Sequence, residues 1–497
     1  MLRWLHKQKE IKGTPNTSSI QQIGKGKIGP KAQNLFDDKK RITKAGITFP
    51  SIIPIASDIF QEACDASGAS NAKNEREAYR RLYKYALPPS LISNISDSVY
   101  SFGALKYSGM ATMVRADDWP TGLGLTDSEA AATSREQIEN GPKNLHISRV
   151  ITRLKRVWAS CLSENFRIFA EMKGLTDIGA ALLMPVYGQP MISKQTGAQD
   201  VIFTPMSINF LGFFGAPSTA IFSVGAGLGG ANKAHVSTRF RKNEITKGQL
   251  VHVLEHAAVA SEINRDEGPL ALSMSLSRLV PSGLTVEAKI MRVFVDSFFD
   301  KSDGYLKQMN AMIAAYSSGR QIYSEFAVPT FESPDIVMLQ TAEVARQPAK
   351  KPDICGKSIV LESSNVVGSS FVLTKKARFA GGVPTEDDIK FNKENKGYLL
   401  VLDVFGSTNA LRWELKHLYN AAAIVVCVSD AQGGIGINFE FSTHLGGYFR
   451  ELGILALGID GKAADDFRKK LKPDSDCLVF ADEFSSDGKS KGLVALI

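Results

Sequence analysis

The stretch Ser442-Thr443-His444-Leu445-Gly446-Gly447-Tyr448-Phe449-Arg450-Glu451-Leu452-Gly453-Ile454 places a histidine just ahead of a short amphipathic helix. A neutral imidazole nitrogen is nucleophilic near pH 7. The unpaired N–H groups and positive dipole end of a helix N-terminus stabilise a dianion formed on it, and Thr443 adds a hydroxyl donor. Upstream, Ala421-Ala422-Ala423-Ile424-Val425-Val426-Cys427-Val428 reads as a buried strand, followed by Asp430 and the turn-forming pair Gly433-Gly434. Strand, glycine turn, Thr-His and helix follow in that order, which makes His444 a candidate phosphoryl carrier. Taken alone, His444 is more simply the cap of a surface helix; its flanks decide for the carrier.

The chain has 497 residues, which suggests about three domains. Its apolar fraction of 44% is that of an ordinary globular protein with well-formed cores. No apolar run reaches the roughly 18 residues that span a bilayer, and Met1-Leu2-Arg3-Trp4-Leu5-His6-Lys7 lacks a signal-peptide core. A soluble, cytoplasmic protein is the expectation. Cys64, Cys161, Cys355, Cys427 and Cys477 are scattered and odd in number, so neither a disulfide framework nor a zinc site is indicated. The formal charge of +8 invites a nucleic-acid reading. Against it, the basic clusters Lys39-Lys40-Arg41, Arg239-Phe240-Arg241-Lys242 and Arg468-Lys469-Lys470 are short and far apart, and none interleaves aromatics as a base-stacking surface does. Solvated faces explain them better.

Residues 1 to about 28 are polar and read as an extension with little structure of its own. Ala32 to Ala45 has helical apolar spacing with Gly46 as its stop, and Ile47 to Ile55 is β-prone. Ile59 onward is helical again. Ile147 to Lys173 predicts one long helix ending at Gly174, Ala180 to Phe222 alternates strands with glycine turns, residues 303 to 325 return to helix, and Ile336 to Gln340 is a short strand. Arg346-Gln347-Pro348-Ala349-Lys350-Lys351-Pro352-Asp353 is a stiff, solvated linker. It divides a larger unit from a C-terminal one of residues 355–497 that contains His444.

The C-terminal motif resembles the phosphohistidine domain of the phosphoenolpyruvate synthase and pyruvate phosphate dikinase superfamily. There a Gly-Gly turn leads to Thr-x-His or Ser-His and then to the Arg-Glu-Leu-Gly-Ile that Arg450 to Ile454 reproduce. The larger unit resembles that superfamily's ATP-binding domain, a variety of ATP-grasp fold. Gly29-Pro30-Lys31, Ala45-Gly46 and Thr48-Phe49-Pro50 keep the order of its Gly-Gly-Lys, Ala-Gly and Val-Pro-Pro. Val114-Arg115-Ala116-Asp117 matches Val-Arg-Ser-Ser, and Val157-Trp158-Ala159-Ser160 matches a helical segment in which Trp158 reads as core. Gly225-Ala226-Gly227-Leu228-Gly229-Gly230 corresponds to a Gly-Leu-Gly-Glu loop, and Glu325-Phe326-Ala327 with Leu339-Gln340-Thr341 corresponds to a closing acidic and Leu-Gln pair.

The resemblance implies an α/β (α+β) protein: a polar extension (1–28), an ATP-grasp-type unit (29–345, with lobes of about 29–205 and 206–345), a linker (346–354) and a swivelling phosphohistidine domain (355–497). Lys31 is then a point charge on the nucleotide phosphates, against an ordinary exposed lysine. Arg115 is a forked phosphate contact, against a salt bridge to Asp117 or Asp118. Gly227 and Gly229 let backbone N–H groups approach phosphate. Glu325 and Gln340 are oxygen ligands for Mg²⁺ on ATP, against an exposed pair at strand ends. His444, helped by Thr443, carries phosphate from ATP to a small-molecule or protein-bound acceptor, which a separate subunit supplies if it is protein-bound. No membrane and no nucleic acid enter this scheme. His252-Val253-Leu254-Glu255-His256 fits a zinc-hydrolase pattern, but short matches arise by chance and this one reads as an ordinary helix.

Four departures weigh on the expected activity. Gly230 stands where the superfamily has a carboxylate and Ala342 where it has an arginine. Ala116-Asp117-Asp118 replaces Ser-Ser-Ala, and Pro30 replaces a glycine. Phosphoryl transfer depends on electrostatic stabilisation, so a non-catalytic regulatory or scaffolding subunit is the rival expectation. The barrel that binds phosphoenolpyruvate or pyruvate in the dikinases finds no counterpart in this sequence.

Overall fold

The computed structural model describes residues 22–102, 109–120, 126–185, 189–194, 201–215, 220–227, 236–240, 303–312, 314–315, 321–328, 336–344, 352–354, 356–363, 365–381, 383–405, 415–429, 449–483 and 491–497. It is a mixed helix-and-sheet structure with four sheets. The first holds β1 (Ile53–Ile55), β2 (Gly109–Ala116), β3 (Ser128–Ser134) and β4 (Ala181–Pro185), in the order β1-β4-β2-β3 and antiparallel throughout. Around it lie helices α1 (Pro30–Lys44), α2 (Ser57–Ser67), α3 (Glu75–Lys84), α4 (Pro89–Ser101), α5 (Leu145–Ser160) and α6 (Glu164–Lys173).

The apolar faces of α2 to α6 share one core with this sheet, in which Trp158 is fully buried and its Nε1 donates to the Gly179 carbonyl at 3.1 Å. Ile23 belongs to this core and bridges Ile55, so packed structure begins ahead of residue 29 rather than after an unstructured 1–28. The helix expected over 147–173 is two helices. Ser163 accepts from the Phe166 N–H and starts a second helix there, because a serine hydroxyl satisfies an orphan donor better at a helix start than within one. Gly174, with φ at +62°, ends α6 where the sequence placed the stop.

The second sheet is antiparallel: β5 (Gln189–Lys194), β6 (Val201–Gly215), β7 (Ala220–Gly227), β8 (Val236–Phe240), β9 (Gln321–Val328) and β10 (Val337–Val344), in the order β10-β9-β6-β7-β8 with β5 paired to β6. Helix covers 303–312, but 321–325 opens β9 instead of extending it, where pairing with β6 on one side and β10 on the other fixes the strand. Only the last third of the expected 47–55 strand forms, as β1; Thr48 instead bridges Val337 of β10. Helix α1 lies against β10, where Thr341 Oγ1 bonds Asp38 Oδ2 at 3.2 Å.

In the C-terminal unit, β11 (Ser358–Ser363), β13 (Ser369–Thr374), β18 (Cys477–Asp482) and β19 (Lys491–Leu496) form an antiparallel sheet. It packs on a second sheet of β12 (Asn365–Val367), β14 (Ala377–Gly381), β15 (Tyr398–Phe405), β16 (Ala421–Ser429) and β17 (Leu455–Asp460), ordered β12-β17-β16-β15-β14. Strands β14 to β17 run parallel. Parallel strands are usually covered on both faces. Ile424 and Val426 of β16 face one core and Ala423, Val425 and Cys427 the other, which is why the apolar run at 421–428 is unbroken. Helices α7 (Glu386–Glu394) and α8 (Gly461–Lys470) complete the unit. Among the described residues no helix is long and apolar enough to cross a membrane.

One buried group ties the first sheet to pH. His146 sits between Thr112 of β2 and Thr133 of β3, each hydroxyl 3.0 Å from a ring nitrogen. Burial, helped by the Arg149 charge, lowers its pKa from 6.5 to about 4. A depressed folded-state value gives stability that is present above the unfolded pKa and lost as pH falls toward the folded one. Relative to His146→Gln, the native chain is expected to lose roughly 2 kcal/mol more between pH 7 and pH 5. Urea denaturation of both proteins at the two pH values measures it; equal losses refute it.

Candidate functional site at the α1, β2 and β9–β10 junction

Helix α1 begins at Gly29-Pro30 with no capping side chain of its own, so its first N–H groups need a remote acceptor. Asp117, just past the end of β2, supplies it. Its Oδ1 accepts from the Lys31 N–H at 2.6 Å and its Oδ2 from the Ala32 N–H at 3.1 Å. A β-carbon on Gly29 would lie 1.7 Å from the Asp117 carbonyl oxygen, so only glycine permits this approach. Asp117 is completely buried, and burial pushes its carboxyl up despite the Lys31 charge and the two N–H donors.

Lys31 is not the ordinary exposed lysine of the competing reading. It is buried, and its ammonium donates to the Ala116 carbonyl at 2.5 Å. Burial first, then the nearby Arg115 charge, pulls its pKa down, while Asp117, Asp118 and Glu325 pull it back up. Asp118 accepts from the Gly179 N–H at 2.6 Å and from the Cys161 thiol at 3.1 Å; burial raises both groups.

Arg115 is the meeting point. Strands β9 and β10 pair Glu325 directly with Gln340, and directly opposed residues project on one face of a sheet. Arg115 Nη2 donates to Glu325 Oε2 at 2.9 Å and to Gln340 Oε1 at 2.8 Å. The β9–β10 register shifts between Met338 and Gln340, and the Leu339 carbonyl accepts from Arg115 Nη1 at 3.2 Å. A bulge of this sort re-aims groups next to functional sites. The Gln340 amide Nε2 donates to the Pro120 carbonyl. The Arg115 fork takes Glu325 rather than Asp117 or Asp118, and side-chain exposures of 12% and 15% make it a largely desolvated pair. Gln340 is buried, not an exposed strand-end residue.

Lys31, Arg115, Glu325 and Gln340 therefore come together from three separate parts of the chain. Two hard oxygens, Glu325 Oε2 and Gln340 Oε1, converge on one nitrogen. That donor set fits Mg²⁺, which typically takes one or two protein groups and fills its shell with phosphate and water. Among the described residues no group of three His, Cys, Asp or Glu suited to a metal occurs. Gly227 ends β7, its backbone paired with Ser207 of β6. Gly229, Thr443, His444 and the His252 to His256 pattern lie outside the described residues.

The Arg450-Glu451-Leu452 stretch after His444 has a structural role of its own. Residues 449–452 are helical, and Phe449 enters the core beneath β15 and β16. Arg450 donates through Nε to both oxygens of Glu483, at 3.0 and 3.1 Å, and through Nη2 at 2.5 Å. Glu483 also accepts from the Gly368 N–H at 3.0 Å. Glu483 was not legible as a partner, lying 33 residues away. The capping role of Asp117 was missed too; the one local signal for it is a helix start with no Ser, Thr, Asp or Asn of its own.

Glu483→Ala removes the carboxylate that both Arg450 and Gly368 address. Losing one partner of a buried pair costs roughly 3–5 kcal/mol, so the variant should unfold at clearly lower urea, whereas Asp474→Ala on a surface turn should not. Protein-family models yield no match to this chain, and no curated protein matches it.

Proposed function

We propose that the chain is an ATP-dependent phosphotransferase of the dikinase type, an ATP-grasp-type unit followed by a swivelling phosphohistidine unit. The observation that supports this reading is the convergence of Lys31, Arg115, Glu325 and Gln340. The sequence pattern picked these four residues independently, and they span more than 300 positions. Arg115 offers a planar fork to phosphate oxygens. Lys31 adds a second positive charge behind it. Mg²⁺, held by Glu325 and Gln340, supplies charge neutralisation on the polyphosphate.

In this scheme His444 attacks the β-phosphorus of ATP through an unprotonated ring nitrogen and AMP departs as the leaving group. Water or orthophosphate then takes the terminal phosphoryl group, leaving one phosphate on the imidazole for transfer to an acceptor. A carrier that serves two sites has to move between them, which a separate C-terminal unit behind a proline-rich linker allows.

A second reading has its own support. Ala342, where the superfamily carries an arginine, is buried in β10, and three carboxylates (Asp117, Asp118, Glu325) surround two cations at the site. A nucleotide-binding subunit without transfer chemistry is consistent with both.

Incubating the full chain with Mg-ATP separates them. The enzyme reading expects AMP release and an acid-labile phosphate that His444→Ala abolishes; nucleotide binding with neither product favours the subunit. Arg115→Lys keeps the charge but loses the fork. It should weaken Mg-ATP binding about tenfold, as the loss of one charge-assisted hydrogen bond implies, measured by isothermal calorimetry. Unchanged affinity would remove Arg115 from the site.

A further inference from the structure

The C-terminal unit touches the N-terminal lobe along α6. Lys173, the last residue of α6, donates through Nζ to the Glu451 backbone carbonyl, and the same nitrogen lies 3.7 Å from Glu451 Oε2. Leu452 packs partly buried against the N-terminal core while also contacting the core of its own unit, and Tyr419 packs there as well. Lys416 completes the contact. Its N–H donates to Asn165 Oδ1 at 3.3 Å, and its Nζ lies 3.3 Å from Glu164 Oε2. The charged contacts here are partly open to water: a quarter of the Lys173 and Glu451 side chains is exposed, and the Glu164 side chain is 67% exposed. Ion pairs of that kind contribute little and are screened by salt, so this is an interface that separates readily.

Lys173 has a second neighbour. Its ammonium stands 5.4 Å from the centre of the Trp119 ring and 6.0 Å from that of Phe169. The two rings meet edge to face at 5.0 Å. Trp119 is followed by Pro120, whose carbonyl accepts from Gln340, and Gln340 shares the Arg115 guanidinium with Glu325. One ammonium thus joins the segment that follows His444 to the loop that borders the candidate nucleotide site. Glu451 lies seven residues beyond His444.

We infer that Lys173 is a positioning residue: it seats the C-terminal unit against the Trp119–Pro120 loop, in the arrangement from which the carrier is loaded. The inference rests on the carrier reading given above and adds to it the surface on which the carrier docks. Lys173 touches neither nucleotide nor reacting atoms in this account. It acts by holding Glu451 and Leu452 in place, and its cation is stabilised over the indole face.

The test uses the full chain with Lys173→Glu and Lys173→Arg, neither of which disturbs a buried core position. Lys173→Glu places like charges together and removes the donor to the Glu451 carbonyl. It should leave the Mg-ATP dissociation constant within about twofold of wild type, slow formation of acid-labile phosphate roughly tenfold or more, and enlarge the radius of gyration seen by small-angle X-ray scattering. Lys173→Arg should restore both rate and radius. A Lys173→Glu protein with wild-type radius and wild-type phosphorylation rate overturns the inference. So does one whose slow phosphorylation is matched by an equal loss of nucleotide affinity. Should the wild type bind no nucleotide and form no phosphate, the functional reading falls, and the scattering alone decides the docking role: expansion in Lys173→Glu upholds it and an unchanged radius ends it.

Discussion

The Arg115 guanidinium ties the two N-terminal sheets together. It extends from β2 of the first sheet and bonds three groups on β9 and β10 of the second: a carboxylate, an amide oxygen and a backbone carbonyl at a bulge. Such a pair, mostly withdrawn from water, gains little net stability over an apolar contact. What it fixes is geometry. The fork requires Glu325 and Gln340 to stay opposite each other, and so pins the β9–β10 register at the point where the bulge exposes the Leu339 carbonyl.

Around that fork, carboxylates outnumber the two cations, Lys31 and Arg115. Asp117 and Asp118 are buried where hydroxyl or small residues occur in the superfamily the sequence resembles, and burial raises both carboxyls. Asp117 compensates part of its cost by capping α1, which also holds Lys31 at the helix start. The same residue that orients the lysine partly neutralises it. Under the function proposed above, a polyphosphate has to compete with these carboxylates for Lys31 and Arg115, and an accompanying divalent cation offsets them.

Local chemistry was legible in the sequence and long-range pairing was not. Helix α1 could be read because its apolar spacing, Pro30 at the start and Gly46 after the end agree. β16 could be read because a strand buried on both faces leaves an unbroken apolar run. The 147–173 region misled because its apolar periodicity continues through Ser163, while a hydroxyl that caps backbone N–H groups breaks the helix. The 321–325 segment misled because Gln-Ile-Tyr-Ser-Glu does not alternate, and its strand form comes from long-range pairing with β6 and β10. Of the candidate site, the residue types were found, but no local pattern says that Arg115 takes Glu325, 210 positions away, in preference to an aspartate two or three residues along.

Two neighbouring residues show how one short helix serves both permanence and release. Arg450 faces inward to Glu483, whose side chain is wholly buried and which also takes the Gly368 N–H. Losing that contact exposes the remaining partner to a low-dielectric interior, so it stays formed whenever the unit is folded. Glu451 faces outward to Lys173, with a quarter of each side chain open to solvent, and water replaces that contact at small cost. The consecutive positions follow from helix geometry, since successive residues on a helix project about 100° apart. The carrier movement proposed above needs both kinds of contact within one turn, and Arg450-Glu451 provides them.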